Sequence, residues 1–229
     1  MENINQEELN EILEKHEMWL KDEEDGECAD LISVDLKDVD LSNTDLRKAD
    51  LYNINLRGAN LRGVDLVNAD LRNADLRGAD LRDANLMGAD LNNANLNNAN
   101  LWNAKLSYAN LNNIETNMYT IGYSLACPEY GSFIGYKKAN GCLVKLLILE
   151  NAKRSSATTA KCKCDKAKVL DIEDIETGEK VKEASSNYDS DFTYRLGEIV
   201  KVDNFDNNRW NECAPGIHFF MDKENALNY

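Results

Sequence analysis

The chain has 229 residues, 43% of them hydrophobic, and a formal net charge of -15. That length can build one large domain or two modest ones with real cores, and no apolar run approaches the roughly 18 residues of a membrane span. So acidic a chain is repelled by nucleic acid and by anionic membrane surfaces, and no basic, aromatic-interleaved patch offsets this.

The charge is uneven. Residues 1–28 hold eleven acids and two bases, whereas 29–113 hold twelve and nine, and 114–229 hold eighteen and fifteen. The opening Met1-Glu2-Asn3-Ile4 lacks a basic segment followed by an apolar one, so a soluble, cytoplasmic protein is expected. In that setting the six cysteines (Cys28, Cys127, Cys142, Cys162, Cys164 and Cys213) read as reduced thiols.

Within residues 1–28, the stretch from about 5 to 22 predicts an amphipathic helix. Leu9, Ile12, Leu13, His16, Trp19 and Leu20 share one face. Asn5 followed by Glu8 has the form of a capping arrangement, acids fill the first turns, and Asp25-Gly26 ends the helix. The expected role is to cap whatever follows.

Residues 29–113 repeat with a period of five. From Leu31 to Leu111 every fifth residue is Leu, seventeen times without a break. Two positions earlier stands a compact residue: Ala in twelve repeats, Val34, Val39 and Val64, Thr44, and Ile54. The residue before Leu is Asp in ten repeats, Asn in six, and Lys105 once. A period of five fits neither helix nor ordinary strand, but it fits a chain that turns a corner every five residues. The leucines, with Leu31, Leu51, Leu71, Leu91 and Leu111 on one side, form the predicted structural core. Asp and Asn face solvent. Gly and Asn two residues after Leu suit a corner that needs positive φ.

This motif resembles the pentapeptide-repeat family, over 85 of 229 residues. The resemblance implies a mainly β fold: a right-handed quadrilateral β-helix, twenty residues to a coil and about four coils, on the order of 20 Å long at the usual strand spacing. All seventeen central residues are Leu, where the family often mixes in Phe. Open coil ends expose backbone and Leu, so both ends need covers. The N-terminal helix and the C-terminal segment are the expected ones. A monomer or an end-to-end dimer follows, according to how complete those covers are.

Residues 114–229 change character and predict a small, strand-rich α+β domain. Strands are expected at 141–149, 168–172, 192–194 and 198–202, with a return strand at 180–182 after a Thr177-Gly178 turn. A short helix over 222–228 begins at Asp222. The stretches Gly135-Tyr136-Lys137-Lys138-Ala139, 152–157 and 210–220 resemble an uncharacterised domain that follows pentapeptide repeats in phage and bacterial proteins. That resemblance implies a recurrent unit and no reaction.

No phosphate loop, zincin or nucleophile-elbow motif occurs. Cys162-Lys163-Cys164 lacks zinc-knuckle spacing, and Cys213 with His218 does not fix a nucleophile–base geometry, so no metal, cofactor or catalytic residue is assigned. The arginines of the repeat read as solubilising ion-pair ladders, with Lys37, Arg57 and Arg77 stacked. A rod so weakly charged argues against DNA mimicry aimed at a topoisomerase. The expectation is a non-enzymatic scaffold or interaction protein with a protein partner, no nucleic acid and no membrane. The β-helix is its spacer and the C-terminal domain its recognition module. The first alternative is a ligand-binding or catalytic C-terminal module, whose pocket would draw on Tyr136, Lys137, Arg154, Ser155, Ser156, Trp210 and His218, and the second is a topoisomerase-directed DNA mimic.

Overall fold

The computed structural model describes residues 1–123, 126–189, 191–211 and 214–229. The chain forms two compact units, Met1–Ser124 and Leu125–Tyr229.

The first unit opens with helix α1 (Gln6–Leu20). Asn5 accepts hydrogen bonds from the Glu7 and Glu8 amides at 2.8 and 3.0 Å, and Glu8 accepts from the Asn5 amide at 2.8 Å, completing a capping box. Leu9 and His16 are buried, and the other apolar-face residues are half-buried. Gly26 lets the chain fold back, because a Cβ there would lie 2.3 Å from the Trp19 backbone nitrogen. Glu2 pairs in parallel with Val34, so its backbone serves one edge of the first coil.

The repeat then stacks on itself. Parallel pairs link residues twenty apart, from Asp30 with Asp50 to Asp90 with Asn110. Four pentapeptides therefore make one coil. Leu amides supply the rungs; the Leu31 N–H, for example, donates to the Asp50 carbonyl one coil on at 2.8 Å. Each pentapeptide closes a β-turn, as in Val34 N–H to the Leu31 carbonyl at 3.2 Å. The third turn residue has φ between 56° and 71° in all seventeen repeats, the requirement of a type II turn.

That geometry explains the composition at two positions. Asn, Asp and Gly dominate the positive-φ site because they enter that region at least cost. With the exception of Asn85, the Asp or Asn before each Leu accepts a hydrogen bond from the amide two residues on, as Asp30 does from Ile32 at 3.2 Å. It is a working part of the corner, beyond the solvent-facing role read from sequence. Asn55 also donates to Asp35, Asn60 to Asp40, and Asn110 to Asp90, so the same positions bond from coil to coil.

Sixteen of the seventeen leucines are buried, including Leu31, Leu51, Leu71 and Leu91, while Leu111 is half-buried. The coil outlasts its motif. Asn95 pairs with Glu115, and Asn100 pairs with Ile121 after one extra residue. Thr120 buries its hydroxyl on the Leu96 carbonyl at 2.9 Å. The five-residue pattern ends at 113, but backbone stacking continues to 121.

The second unit has nine strands among its described residues: β1 (Phe133–Ala139), β2 (Cys142–Ile148), β3 (Arg154–Ser156), β4 (Lys161–Cys164), β5 (Lys166–Asp174), β6 (Glu183–Ser185), β7 (Thr193–Arg195), β8 (Ile199–Lys201) and β9 (Ile217–Phe220). Helix α2 (Lys223–Asn228) follows, N-capped by Asp222. Seven strands form an antiparallel sheet in the order β3-β4-β9-β1-β2-β5-β8, and β6 pairs with β7. The expected return strand at 180–182 is only a bridge, Glu173 to Lys180, and the strand lies later, at Glu183–Ser185. Strands β1, β3 and β4 fall where none was expected. The core gathers Val144, Leu146 and Ile148 with Cys162, Cys164, Val169, Ile172, Ile217 and Phe219. Gly135 is tied to it, because a Cβ there would meet the Phe219 ring at 2.5 Å. Among the described residues no helix is long and apolar enough to cross a membrane.

Candidate functional site

Strand alternation divides β4 and β9 cleanly. Cys162, Cys164, Ile217 and Phe219 enter the core, which leaves Lys161, Lys163, His218 and Phe220 at the intervening positions. β9 touches β1 through a single pair, Tyr136 with Phe220. At this place lies a cavity of about 750 Å³. Its wall takes Lys137 and Lys138 from β1, Lys161 from β4, and His218 and Phe220 from β9. Residues 186–189, Phe192, Tyr194, 201–204 and 214–216, with Tyr229, complete it.

Lysine and aromatic side chains dominate the lining. Lys137, Lys138, Lys161 and Lys201 face two carboxylates, Asp189 and Asp203, in a chain that is strongly acidic overall. Tyr188, Phe192, Tyr194, Phe220 and Tyr229 supply the rings. Several groups are held in place. Lys161 Nζ donates to the Tyr229 hydroxyl at 2.8 Å and lies 4.9 Å from the centre of its ring. Lys138 Nζ donates to the Leu227 carbonyl at 3.2 Å. Lys163, beneath the wall, is 2% exposed and donates to the Asn208 and Asn211 carbonyls, both at 2.9 Å. These bonds fix segment 208–211 against β4.

Lys137 is the exception. Its Nζ lies 6.0 Å from the Tyr194 ring centre, and among the described residues it has no hydrogen-bond or ion-pair partner. Burial, with a smaller contribution from Lys161, pushes its ammonium pKa down to about 8. Burial likewise pushes the Tyr194 phenol and the Cys164 thiol up, so both stay neutral.

Of the seven residues expected to form a pocket, the structure brings only Lys137 and His218 to this cavity. Tyr136 sits in β1 opposite Lys145 and Phe220, outside the lining. Arg154 is committed to structure. Its guanidinium donates to the Gly131, Leu149 and Glu150 carbonyls at 2.7 Å and to Ala152 at 3.1 Å, and it lies over the Phe133 ring. Ser155 and Ser156 are buried in β3, and the Ser156 hydroxyl accepts from the Ala126 amide at 2.8 Å. Trp210 stacks under Arg209 at 4.3 Å. A distinctive residue type marked these positions, but an Arg that ties loop carbonyls together looks the same in sequence as one that binds a ligand. Tyr188, Phe192, Tyr194, Lys161 and Lys201 were missed. Their only sequence signal is aromatic and lysine enrichment in segments that read as loops or strands.

Cys28, Cys127, Cys142, Cys162 and Cys164 are free thiols. Among the described residues no three His, Cys, Asp or Glu side chains are grouped to hold a metal. The Cys213 readings fall outside the described residues.

Residues 27–63, 54–93 and 84–114 match the family described as pentapeptide repeats (8 copies), and residues 123–226 match a family of unknown function (DUF5758). No curated protein matches the chain. Among solved structures the chain is similar to the pentapeptide repeat protein Rfr23 from the cyanobacterium Cyanothece 51142. The identity is 42%, covering 40% of this chain and 63% of that one, with a TM-score of 0.40. It is also similar to a pentapeptide repeat protein of the Arabidopsis thaliana thylakoid lumen (35% identity, 37% and 63% covered, TM-score 0.30). A third is a pentapeptide repeat protein from Nostoc Pcc 7120 (39% identity, 47% and 80% covered, TM-score 0.18). The chain thus spans less than two thirds of the first two proteins. Taken with the twenty-residue ladder and the separate second unit, the two family matches identify the chain as a pentapeptide-repeat protein carrying a C-terminal domain of a family of unknown function.

Proposed function

We propose that this is a non-enzymatic recognition protein in which the repeat is a stiff scaffold and the C-terminal domain binds a small anionic ligand. The scaffold reading takes the repeat as a right-handed, four-sided β-helix, with α1 as the cover of its first coil. Four turns per twenty residues and a uniform Leu and Ala interior support it. Solvated Asp–Arg pairs such as Asp75 with Arg77 at 2.5 Å occupy the surface and supply no base or nucleophile.

The observation that carries the ligand reading is the cavity itself. At about 750 Å³ it is the size of a small-molecule site, with lysines and tyrosines converging on one space. Ammonium groups recognise phosphate or carboxylate, and the rings accept a planar body. Calorimetric titration of the full chain with pyridoxine 5′-phosphate, a planar anion, tests the reading. Saturable binding that weakens at least tenfold in Lys161→Glu and falls with added salt supports it. No binding of this or other planar phosphates and carboxylates refutes it.

A further inference from the structure

Lys137 stands apart from the other lysines of the cavity. Lys138 and Lys161 commit their ammonium groups to the Leu227 carbonyl and the Tyr229 hydroxyl, and Lys201 is exposed. Lys137 is half-buried in the cavity wall, its Nζ 6.0 Å from the centre of the Tyr194 ring, with no hydrogen-bond or ion-pair partner among the described residues. The groups that act on it are Lys161, which carries a like charge, and Cys164, which is a neutral thiol. The two cavity carboxylates, Asp189 and Asp203, form no ion pair with it. Buried ammonium without a counter-charge, next to another cation, is the environment that converts lysine into a neutral nucleophile.

We propose that Lys137 captures a carbonyl-bearing anionic ligand in this cavity as a reversible imine. The inference rests on the cavity being the ligand site. The unprotonated Nζ attacks the carbonyl carbon of an aldehyde or ketone. A C=N bond replaces the C=O bond, and the oxygen leaves as water with the two amine hydrogens. No oxidant or reductant is needed, and hydrolysis returns both partners unchanged. Lys161 and Lys138 hold the anionic part of the ligand, and Tyr194 lines the wall where the imine forms. The shifted proton equilibrium supports the geometry. With its pKa near 8, about a tenth of Lys137 is neutral at pH 7, roughly 300 times the share of an ordinary lysine.

The test treats the wild-type full chain with substoichiometric pyridoxal 5′-phosphate, reduces with borohydride, and maps the adduct by peptide mass spectrometry. In parallel, the alcohol pyridoxine 5′-phosphate, which cannot form an imine, is titrated by calorimetry. The expected result is at least tenfold more adduct at Lys137 than at any other lysine, suppressed by the alcohol. Lys137→Arg, whose guanidinium cannot form the imine, should lose this adduct. If the alcohol binds but the label spreads over surface lysines or settles elsewhere, imine capture is wrong and the ligand site stands. If neither compound binds in the cavity, both readings fall. Because the adduct is mapped on the wild-type chain, the outcome does not depend on how the variant folds.

Discussion

The two units reach a folded state by opposite routes. In the repeat, turns recur every five residues and rungs join positions about twenty apart, so one rule places each side chain. In the C-terminal domain β9, near the end of the chain, lies between β4 and β1, and segment 208–211 is pinned by Lys163 some 45 residues earlier. The repeat is uniform and filled by Leu and Ala; the C-terminal domain is irregular, with its cations gathered around one space. Regularity stabilises a scaffold with few residue types, whereas a binding site requires groups placed against their individual preferences. Lys137, half-buried without a counter-charge among the described residues, is the clearest case.

This contrast can be sharpened by substitution. The largest effect is expected in the repeat core. Leu76→Ala should destabilise the first unit by about 2–5 kcal/mol in denaturant titration, since each coil leans only on its neighbours. Ligand affinity should not change. A loss of affinity would show that the units are not separable. Gly135→Ala should cost the second unit about 1–3 kcal/mol, because its Cβ would press on Phe219, while the repeat melts unchanged.

Lys137→Met should act in the opposite direction and stabilise the second unit by about 2 kcal/mol at pH 7. The sign follows from linkage. The folded pKa of about 8 lies below the ordinary 10.5, so the unfolded chain binds more protons between those values, and stability rises with pH across that window. The advantage of Met should therefore fade between pH 8 and 10.5. A variant less stable than wild type at pH 7 would mean that the lysine supports the fold and does not strain it.

A smaller effect is expected at the N-terminus. His16 Nδ1 accepts the Ala29 amide at 3.0 Å, which requires that nitrogen to be unprotonated. Burial is the main cause that holds its pKa below 6.5. The folded state thus binds fewer protons than the unfolded chain just below 6.5. The stability His16 contributes is complete above that value and declines as pH falls beneath it. Amide protection factors in α1, taken against the intrinsic exchange rate at each pH, should fall below pH 6.5 and lose that dependence in His16→Gln. The smallest effect is expected at the surface, where Arg77→Ala should cost under about 0.5 kcal/mol.

The same contrast governs what was legible in the sequence. The five-residue period fixed the repeat, its leucine interior and its positive-φ corner, because all three are local. The Asn5–Glu8 box and the Asp222 cap were legible for the same reason. The coil from 114 to 121 was not, since it keeps the backbone ladder while dropping the side-chain pattern. In the C-terminal domain, β2, β5 and α2 announced themselves by apolar runs or caps. Lys161-Cys162-Lys163-Cys164 did not, because a strand whose intervening lysines are covered by a distant segment looks polar. Of the proposed pocket, Lys137 and His218 were found. Arg154 and Ser156 were not distinguishable from ligand groups until their backbone partners were known.

The central claim is that recognition belongs to the C-terminal cavity and that the repeat is inert. Hydrogen–deuterium exchange on the full chain, with and without saturating pyridoxine 5′-phosphate, tests it most directly. Protection should appear over residues 137–138, 186–194, 201–204 and 214–218, with no change across 29–113. Protection along the repeat, with the C-terminal segments unchanged, would contradict it.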